Sequence, residues 1–386
     1  MEDAFSDIRP YSDEDAITAL RRVAGHPMMP VISKYLFPEE NPKFLAKVMN
    51  SVTGIDDFQF KVMAGVVSSI LAKTSEGFTF SGTDNLKSLK GRKFLAISNH
   101  RDIVLDPALI QYMLASIGLP FMEICVGSNL LSNDLVNDLM RSNRIIKVIR
   151  GISARELYLS SQILSKYIRQ TITEGNASVW IAQREGRTKN GLDSTEQGLL
   201  KMFDMSGEGS FDENFKELNI VPFSISYEYE SCDARKAREL YVRNESGSYS
   251  KRKNEDTHSI MTGIRQKKGH IHLTIGKPLS DKEIKNAGML HGNDRYQAIR
   301  KTLDKRINTG YRLWKTNYMG YDLMHGSKDF LGVKYLPEDV ESFKNYINHK
   351  LNKVERSLDR DALTKVFIGI YAKPVESKLQ IEGLSL

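Results

Sequence analysis

Residues 94–110 place a histidine and two aspartates at spacings that could support acid–base chemistry. The stretch reads Phe-Leu-Ala-Ile-Ser-Asn-His-Arg-Asp-Ile-Val-Leu-Asp-Pro-Ala-Leu-Ile, with His100 followed by Asp102 and Asp106. A neutral imidazole is suited to removing a proton near neutral pH, and a carboxylate within reach can orient it. The same pattern also occurs in surface loops that hold a solvated histidine and a helix-capping aspartate. The spacing by itself therefore leaves both interpretations open.

A strand and a helix are expected to position these side chains. Residues 94–97 are apolar and predict a β-strand that ends before His100. Asp106 and Pro107 predict the N-cap and the first position of a helix, because the carboxylate accepts unpaired backbone N–H groups and proline has none to leave unpaired. His100 should then lie at the carboxyl end of a strand, where open α/β sheets bind their ligands.

Two later segments place basic residues directly after predicted strands. Arg150 follows the β-branched run 145–149, and a polar loop follows the strand at 179–182. A guanidinium group matches phosphate oxygens bidentately, and a glycine allows the backbone to turn tightly beside a ligand. A solvent-facing arginine and an ordinary charged turn are the alternatives. The loop residues that could bind an anion are Glu185, Gly186, Arg187, Thr188 and Lys189.

A further segment, residues 219–226, is an apolar strand that contains Pro222. Proline cannot donate to the hydrogen-bond ladder, so Pro222 predicts an edge strand or a bulge. By itself this segment indicates no particular chemistry.

Taken in order, the four segments resemble the four motifs of the glycerolipid acyltransferase family. Asn-His, a short spacer and Asp ahead of an apolar helix are similar to the first motif. The run Asp-Pro-Ala-Leu-Ile is similar to the equivalent segment of soluble plastid glycerol-3-phosphate acyltransferases. The family has four residues between its His and Asp, whereas five separate His100 from Asp106. Because of the predicted helix start, Asp106 is interpreted as the family's aspartate, and Asp102 is the alternative.

The resemblance implies an O-acyltransferase of phospholipid biosynthesis. Such an enzyme moves a fatty acyl chain from an acyl thioester to the hydroxyl of glycerol-3-phosphate or a lysophospholipid. His100 would be the general base, and Asp106 would orient it and stabilise the imidazolium. The chain has no Gly-x-Ser-x-Gly motif, so direct transfer without an acyl-enzyme is expected. The resemblance assigns acceptor-phosphate binding to Arg150, Glu185, Gly186, Arg187 and Thr188, with Lys189 as a further candidate. It places Pro222 in the acyl or acceptor pocket.

An acyl donor and a lipid surface are the expected partners. The donor would be an acyl-acyl-carrier protein or an acyl-CoA thioester, and no cofactor or metal is expected. Two alternatives stay open. One is an acyltransferase whose acceptor is a non-phosphate lyso-lipid, such as an amino-acid lipid. The other is a non-catalytic protein of the same fold that binds lipid or an acyl carrier.

Charge and composition narrow the functional class. The 386 residues include 55 Lys and Arg against 48 Asp and Glu, and the net charge of +7 favours anionic partners. Nucleic acid is not an expected partner, because aromatic residues do not interleave with the basic clusters. With no signal peptide and no run of about 18 apolar residues, we expect a cytoplasmic protein held peripherally at the inner face of the membrane. Cys125 and Cys232 show neither disulfide nor zinc spacing.

Strand-like and helical segments alternate from about residue 76 onward. They predict an α/β fold with a mixed, largely parallel sheet flanked by helices. Three domains are expected: a helical N-terminal region (1–75), an acyltransferase α/β domain (76–280) and a helical C-terminal extension (281–386). Ser153 and Ser280 each begin a capping box that predicts a helix start. Residues 231–269 are expected to form a long polar loop, and residues 372–375 a short extended piece.

Overall fold

A seven-stranded β-sheet forms the centre of the computed structural model, which describes residues 4–131 and 133–383. The strands are β1 (Ser75–Ser81), β2 (Leu95–Ser98), β3 (Glu123–Gly127), β4 (Ile145–Val148), β5 (Val179–Ala182), β6 (Val221–Tyr227) and β7 (Gly269–Ile275). Their order is β1-β7-β6-β2-β5-β3-β4. Only the β6–β7 pair is antiparallel among these neighbours, so β1 and β7 run opposite to the other five strands. The expected mixed, largely parallel sheet is confirmed.

Helices cover both faces of this sheet. In chain order they are α1 (Asp13–Ala24), α2 (Met29–Leu36), α3 (Phe44–Asn50), α4 (Ile55–Phe58), α5 (Ala64–Thr74), α6 (Asp84–Lys87), α7 (Leu105–Ser116), α8 (Asp134–Arg141), α9 (Ala154–Thr173), α10 (Gln197–Met205), α11 (Phe211–Lys216), α12 (Asp233–Ser246), α13 (Glu255–Arg265), α14 (Asp281–Gly288), α15 (Asp294–Gly310), α16 (Lys315–His325), α17 (Pro337–Leu351) and α18 (Arg360–Glu382). A π-helical turn, Gln59–Met63, joins α4 to α5. The capping boxes at Ser153 and Ser280 begin α9 and α14, as the sequence predicts.

Side chains of β2 to β5 alternate between two apolar cores, as the strand period of two requires. In β2, Ala96 packs against α7 and the N-terminal helices, whereas Leu95 and Ile97 pack against α9, α10, α11 and α15. A third apolar cluster joins α12 to α16, α17 and α18. The first core is continuous from the N-terminal helices into the sheet. The division into three domains stays a prediction.

The start of α7 differs from the expectation for Asp106. The helix begins at Leu105 with Val104 at the N-cap, so Asp106 lies inside the first turn and is fully buried. Asp102 takes the capping role instead, because its Oδ1 accepts hydrogen bonds from the backbone N–H groups of Val104 (2.9 Å) and Leu105 (2.8 Å). Aspartate side chains commonly accept such local bonds two and three residues on. The N-cap assignment of Asp106 was therefore wrong.

Pro222 lies in an interior strand, which corrects the expected edge or bulge position. Strand β6 pairs with β2 on one side, where Pro222 is level with Ile97, and with β7 on the other. The ladder with β7 begins only at Phe223, opposite Ile275. The carbonyl of Pro222 accepts a hydrogen bond from Gly276, just beyond the end of β7. The missing N–H therefore falls where the β6–β7 ladder has not yet begun, and the sheet loses little.

Two segments that were expected to be irregular are helical. Residues 231–269 form α12 and α13 together with the loops around them. The apolar side chains of α12, including Ala237, pack against the C-terminal helices, and this tertiary contact outweighs the polar composition. Residues 372–375 lie within α18, where Pro374 has no N–H to offer the carbonyl of Ile370. Gly191 packs against that carbonyl so closely that a Cβ would overlap the oxygen.

The described residues contain no helix that is both long and apolar enough to cross a bilayer. The two cysteines are free and buried, in agreement with the absence of disulfide spacing in the sequence.

Candidate active site

His100 lies two residues beyond the end of β2, at the carboxyl edge of the five strands that run in one direction. Its Nδ1 atom is 2.8 Å from Oδ2 of Asp106. The imidazole ring contacts Trp180 edge-on, with 5.7 Å between the ring centres, and its side chain is 14% exposed. Because Nδ1 is taken by the carboxylate, Nε2 is the ring nitrogen that a substrate could reach.

The carboxylate of Asp106 is held by four hydrogen-bonding groups. Besides His100, its Oδ2 accepts from the backbone N–H groups of Arg101 (2.6 Å) and Asp102 (2.9 Å), and its Oδ1 accepts from the hydroxyl of Tyr227 (2.7 Å). Burial, and then the nearby Asp106, raise the pKa of Tyr227 well above its usual value, so this tyrosine remains a donor. The arrangement fixes the carboxylate and, through it, the imidazole.

Asp102 faces away from the imidazole. Its Oδ2 accepts a hydrogen bond from the hydroxyl of Ser231, and its Oδ1 holds the start of α7. Gly263 of α13 packs so closely against Asp102 that a Cβ would overlap the carboxylate. Of the two carboxylates that the sequence left open, the structure places Asp106 against His100.

A buried network of charged side chains stabilises the loop that carries His100. Sequence reasoning missed this network. The guanidinium of Arg101 donates to Asp193 (2.6 Å) and Glu230 (3.3 Å), and Lys236 donates to Glu230 (2.6 Å) and to the carbonyl of Arg101 (2.8 Å). Burial lowers the pKa of Arg101, but the two carboxylates outweigh burial and raise it above its usual value. The network ties β2 to α12.

The loop after β5 is joined directly to the His100 loop. The backbone N–H of Thr188 donates to the carbonyl of His100 (2.7 Å), and the hydroxyl of Thr188 donates to Asp193 (2.7 Å). Thr188 is fully buried, so its hydroxyl holds the loop in place and is not free for a ligand. Gly186 adopts a left-handed conformation with φ +70°, which turns the chain before Arg187.

Arg187 is the feature of this loop that points to an anion. Its side chain is buried, with the residue 8% exposed, yet Nη1 has no hydrogen-bond partner among the described residues. A buried guanidinium nitrogen that makes no hydrogen bond is costly, and an anionic ligand would remove that cost. The carboxylate of Asp256 is close enough to interact with the charge of Arg187. Lys189 is bonded to Glu239 of α12, and burial together with the charge of Arg187 lowers the pKa of Lys189 to about 8.

Arg150 reaches the same edge of the sheet from β4. Its Nη1 lies 3.6 Å from Glu185 Oε1, and its guanidinium packs over Gly127 at the end of β3. The Glu185 side chain is largely exposed. The structure therefore brings together the ends of β2, β3, β4 and β5 with their site residues. Pro222 does not join them, because it lies near the amino end of β6.

Tyr227 lies at the carboxyl end of β6 and is the residue of this strand that contacts the site, through its bond to Asp106. Sequence reasoning missed it, although a tyrosine that closes a strand at the carboxyl edge is a usable signal.

Residues 77–226 match the family model described as Acyltransferase. The fold and this match define an acyltransferase. Residues 77–226 therefore form an acyltransferase domain, in agreement with the resemblance of the four motifs. The matched range includes β2 to β5, β6 up to residue 226, and every site residue that the sequence proposed. No curated protein matches the chain.

Proposed function

We propose that this acyltransferase moves a fatty acyl chain from an acyl thioester to the hydroxyl of glycerol-3-phosphate or a lysophospholipid, as a step of phospholipid biosynthesis. One arrangement carries the proposal: His100 is paired with the buried Asp106, and the adjoining loop presents the guanidinium of Arg187, whose Nη1 makes no hydrogen bond to any described residue. The first pair suits activation of a hydroxyl group. The guanidinium suits a phosphate on the same acceptor.

In the proposed mechanism His100 is the general base. Its Nε2 takes the proton of the acceptor hydroxyl while the hydroxyl oxygen attacks the thioester carbonyl carbon. The carboxylate of Asp106 accepts from Nδ1–H and stabilises the imidazolium that forms. The tetrahedral intermediate then collapses with cleavage of the carbon–sulfur bond. The leaving thiolate takes the proton back from His100, so no acyl-enzyme is formed.

Three cations would hold the anionic group of the acceptor. Arg187 is the principal one, because it is buried and its Nη1 makes no hydrogen bond within the described part of the chain. Arg150 and Lys189 approach from β4 and from the far end of the loop, and each already has a carboxylate neighbour, Glu185 and Glu239. A bound phosphate would compete with these two carboxylates. Thr188 and Gly186 shape the loop that presents Arg187.

The donor and the cellular place of the reaction belong to the same proposal. The donor is an acyl-acyl-carrier protein or an acyl-CoA thioester, used as co-substrate without a cofactor or metal. The protein acts in the cytoplasm, held peripherally at the inner face of the membrane. The net charge of +7 supports an anionic carrier or an anionic lipid surface as partner.

A second acceptor class has an observation in its favour. Arg150 and Lys189 each form an ion pair with a carboxylate, whereas Nη1 of Arg187 makes no hydrogen bond to any described residue. One guanidinium binds a carboxylate bidentately as readily as a phosphate. An amino-acid lyso-lipid, whose anionic group is a carboxylate, is therefore the second candidate acceptor.

An acceptor panel tests the proposal. The purified protein is incubated with a long-chain acyl-CoA or acyl-carrier protein and, separately, with glycerol-3-phosphate, lysophosphatidate or an amino-acid lyso-lipid, and the products are identified by mass. We expect an ester with a phosphate-bearing acceptor. An ester with the amino-acid lyso-lipid alone would replace the first acceptor class by the second. No ester with any acceptor would refute both.

A further inference from the structure

The first turns of α9 are exposed to solvent. Every residue from 153 to 159 is exposed, although Leu157 (48%), Tyr158 (56%) and Leu159 (48%) are among them, and Ile163 is exposed one turn later. Burial on this helix begins only at Leu164. Helices of globular proteins normally bury such residues, and exposed apolar patches mark interaction sites. We call residues 153–163 the α9 tip.

A second apolar patch lies on α2. Its four members are all exposed, and helical spacings of three or four residues place them on one face: Met28, Val31, Ile32 and Tyr35. The opposite face of the same helix is buried, including Leu36. The exposed side is therefore an apolar stripe, in which the cations of Lys73 and Arg265 lie over the ring of Tyr35. We call these four residues the α2 stripe.

The strand order places these two patches on either side of the active site. The α9 tip follows β4, one outer strand of the sheet, at the carboxyl edge where His100 lies. The ring of Tyr35 contacts Lys73 and Arg265, which end the helices before β1 and β7. Because β1 and β7 run opposite to the other strands, their starting ends lie at that same edge. β1 is the other outer strand.

Cations border both patches. Lys34, Lys73 and Arg265 surround the α2 stripe and are exposed. In the α9 tip the exposed Arg155 lies beside the exposed Glu156, whose carboxylate accepts from Ser153. Apolar side chains that penetrate a headgroup layer, with basic residues beside them, are the usual features of interfacial binding to anionic lipid. Because the α9 tip and the α2 stripe lie on either side of one site, a planar partner can contact both.

We infer that the α9 tip and the α2 stripe dock the protein onto an anionic lipid bilayer, with the His100 edge of the sheet facing the lipid. The inference rests on the proposed function in one respect, since it takes the acceptor or the acylated product to be a lipid of that bilayer.

Vesicle sedimentation tests this surface directly. The protein is mixed with vesicles of phosphatidylcholine alone or with added phosphatidylglycerol, and the bound fraction gives an apparent Kd. The test variants are Leu157→Glu with Leu159→Glu, and Val31→Glu; all three positions are exposed, and glutamate is a good helix former. The matched control is Met289→Glu, which changes an equally exposed apolar residue outside both patches.

We expect binding to the anionic vesicles, an apparent Kd that rises at least about tenfold in each test variant, and no change in the control. Failure of the unchanged protein to bind, or equal binding by the test variants, would overturn the inference. So would light scattering that shows a dimer which the test substitutions dissociate, because the patches would then contact a second copy. Acyl transfer to a water-soluble acceptor is measured separately. Its absence beside intact vesicle binding would refute the proposed function and leave this surface standing.

Discussion

Replacing Asp106 by asparagine isolates the charge of the carboxylate that contacts His100. Oδ2 accepts from the backbone N–H groups of Arg101 and Asp102, so in Asp106→Asn the amide oxygen must take this position. The amide nitrogen then faces the hydroxyl of Tyr227 in place of Oδ1. His100 keeps an acceptor for its Nδ1–H, and its tautomer is preserved. The substitution removes little besides the negative charge.

The distance between the two groups sets the expected size of the effect. At 2.8 Å and an effective dielectric constant of about 20, a full charge pair interacts with roughly 6 kcal/mol. If the proton is half transferred in the transition state, the loss is roughly 3 kcal/mol, or about 100-fold in kcat. A substitution that also reversed the tautomer would cost about 10,000-fold. We therefore expect a loss clearly smaller than that limit.

Asp102→Asn is the matched control, because it makes the same chemical change four residues earlier. Its amide oxygen can keep the bonds to Val104 and Leu105, and its nitrogen can donate to the hydroxyl of Ser231. We expect kcat within about threefold of the unchanged protein, which corresponds to roughly 0.6 kcal/mol. The assay is initial-rate acyl transfer with thermal unfolding measured in parallel. The reverse pattern, with Asp102→Asn the more damaging, would refute the assignment of Asp106.

Three further predictions concern the anion pocket and the packing behind it. Arg187→Ala should raise the acceptor KM by about 10- to 150-fold, as expected for a lost charge-assisted contact of about 1.5–3 kcal/mol, and leave the donor KM unchanged; equal changes in both would argue against an anion pocket. Burial and the charge of Arg187 hold the pKa of Lys189 at about 8. Because Lys189 loses its charge above that pH, kcat/KM for an anionic acceptor should fall as the pH rises through 8, and Lys189→Arg should remove that fall. The same pH profile in both proteins would contradict the role of Lys189. Gly191→Ala should lower the free energy of unfolding in urea by more than Gly175→Ala does. Both glycines have positive φ, but only Gly191 lies against the carbonyl of Ile370. An equal loss of unfolding free energy in the two variants would show that this close contact does not matter.

Local patterns in the chain were enough to predict much of the fold. The apolar runs gave the strands to within two or three residues at most ends, and the capping boxes at Ser153 and Ser280 gave two helix starts, because all the atoms involved lie within one turn. The helical structure of α12 and α13 was not predicted, because contacts with distant helices stabilise these polar segments. The helix around Pro374 in α18 was not predicted for the same reason.

The candidate site divides in a similar way. His100 and Asp106 lie six residues apart, so their pairing followed from the chain itself and the family resemblance. Tyr227 donates to Asp106 from 121 residues away, so its place at the end of a strand could indicate the edge of the site but not its partner. Likewise, no short-range rule shows that Thr188 uses its hydroxyl within the protein or that Arg187 is left without a partner.

The central claim, that His100 is the general base of an acyl transfer, is tested most directly by His100→Ala. The purified variant is assayed with the acyl donor and acceptor that give product with the unchanged protein, beside His291→Ala as an exposed histidine control. A positioned general base contributes about 100- to 10,000-fold, so we predict that turnover falls by at least about 100-fold while the unfolding temperature stays the same. Turnover within about tenfold of the unchanged protein would contradict the claim.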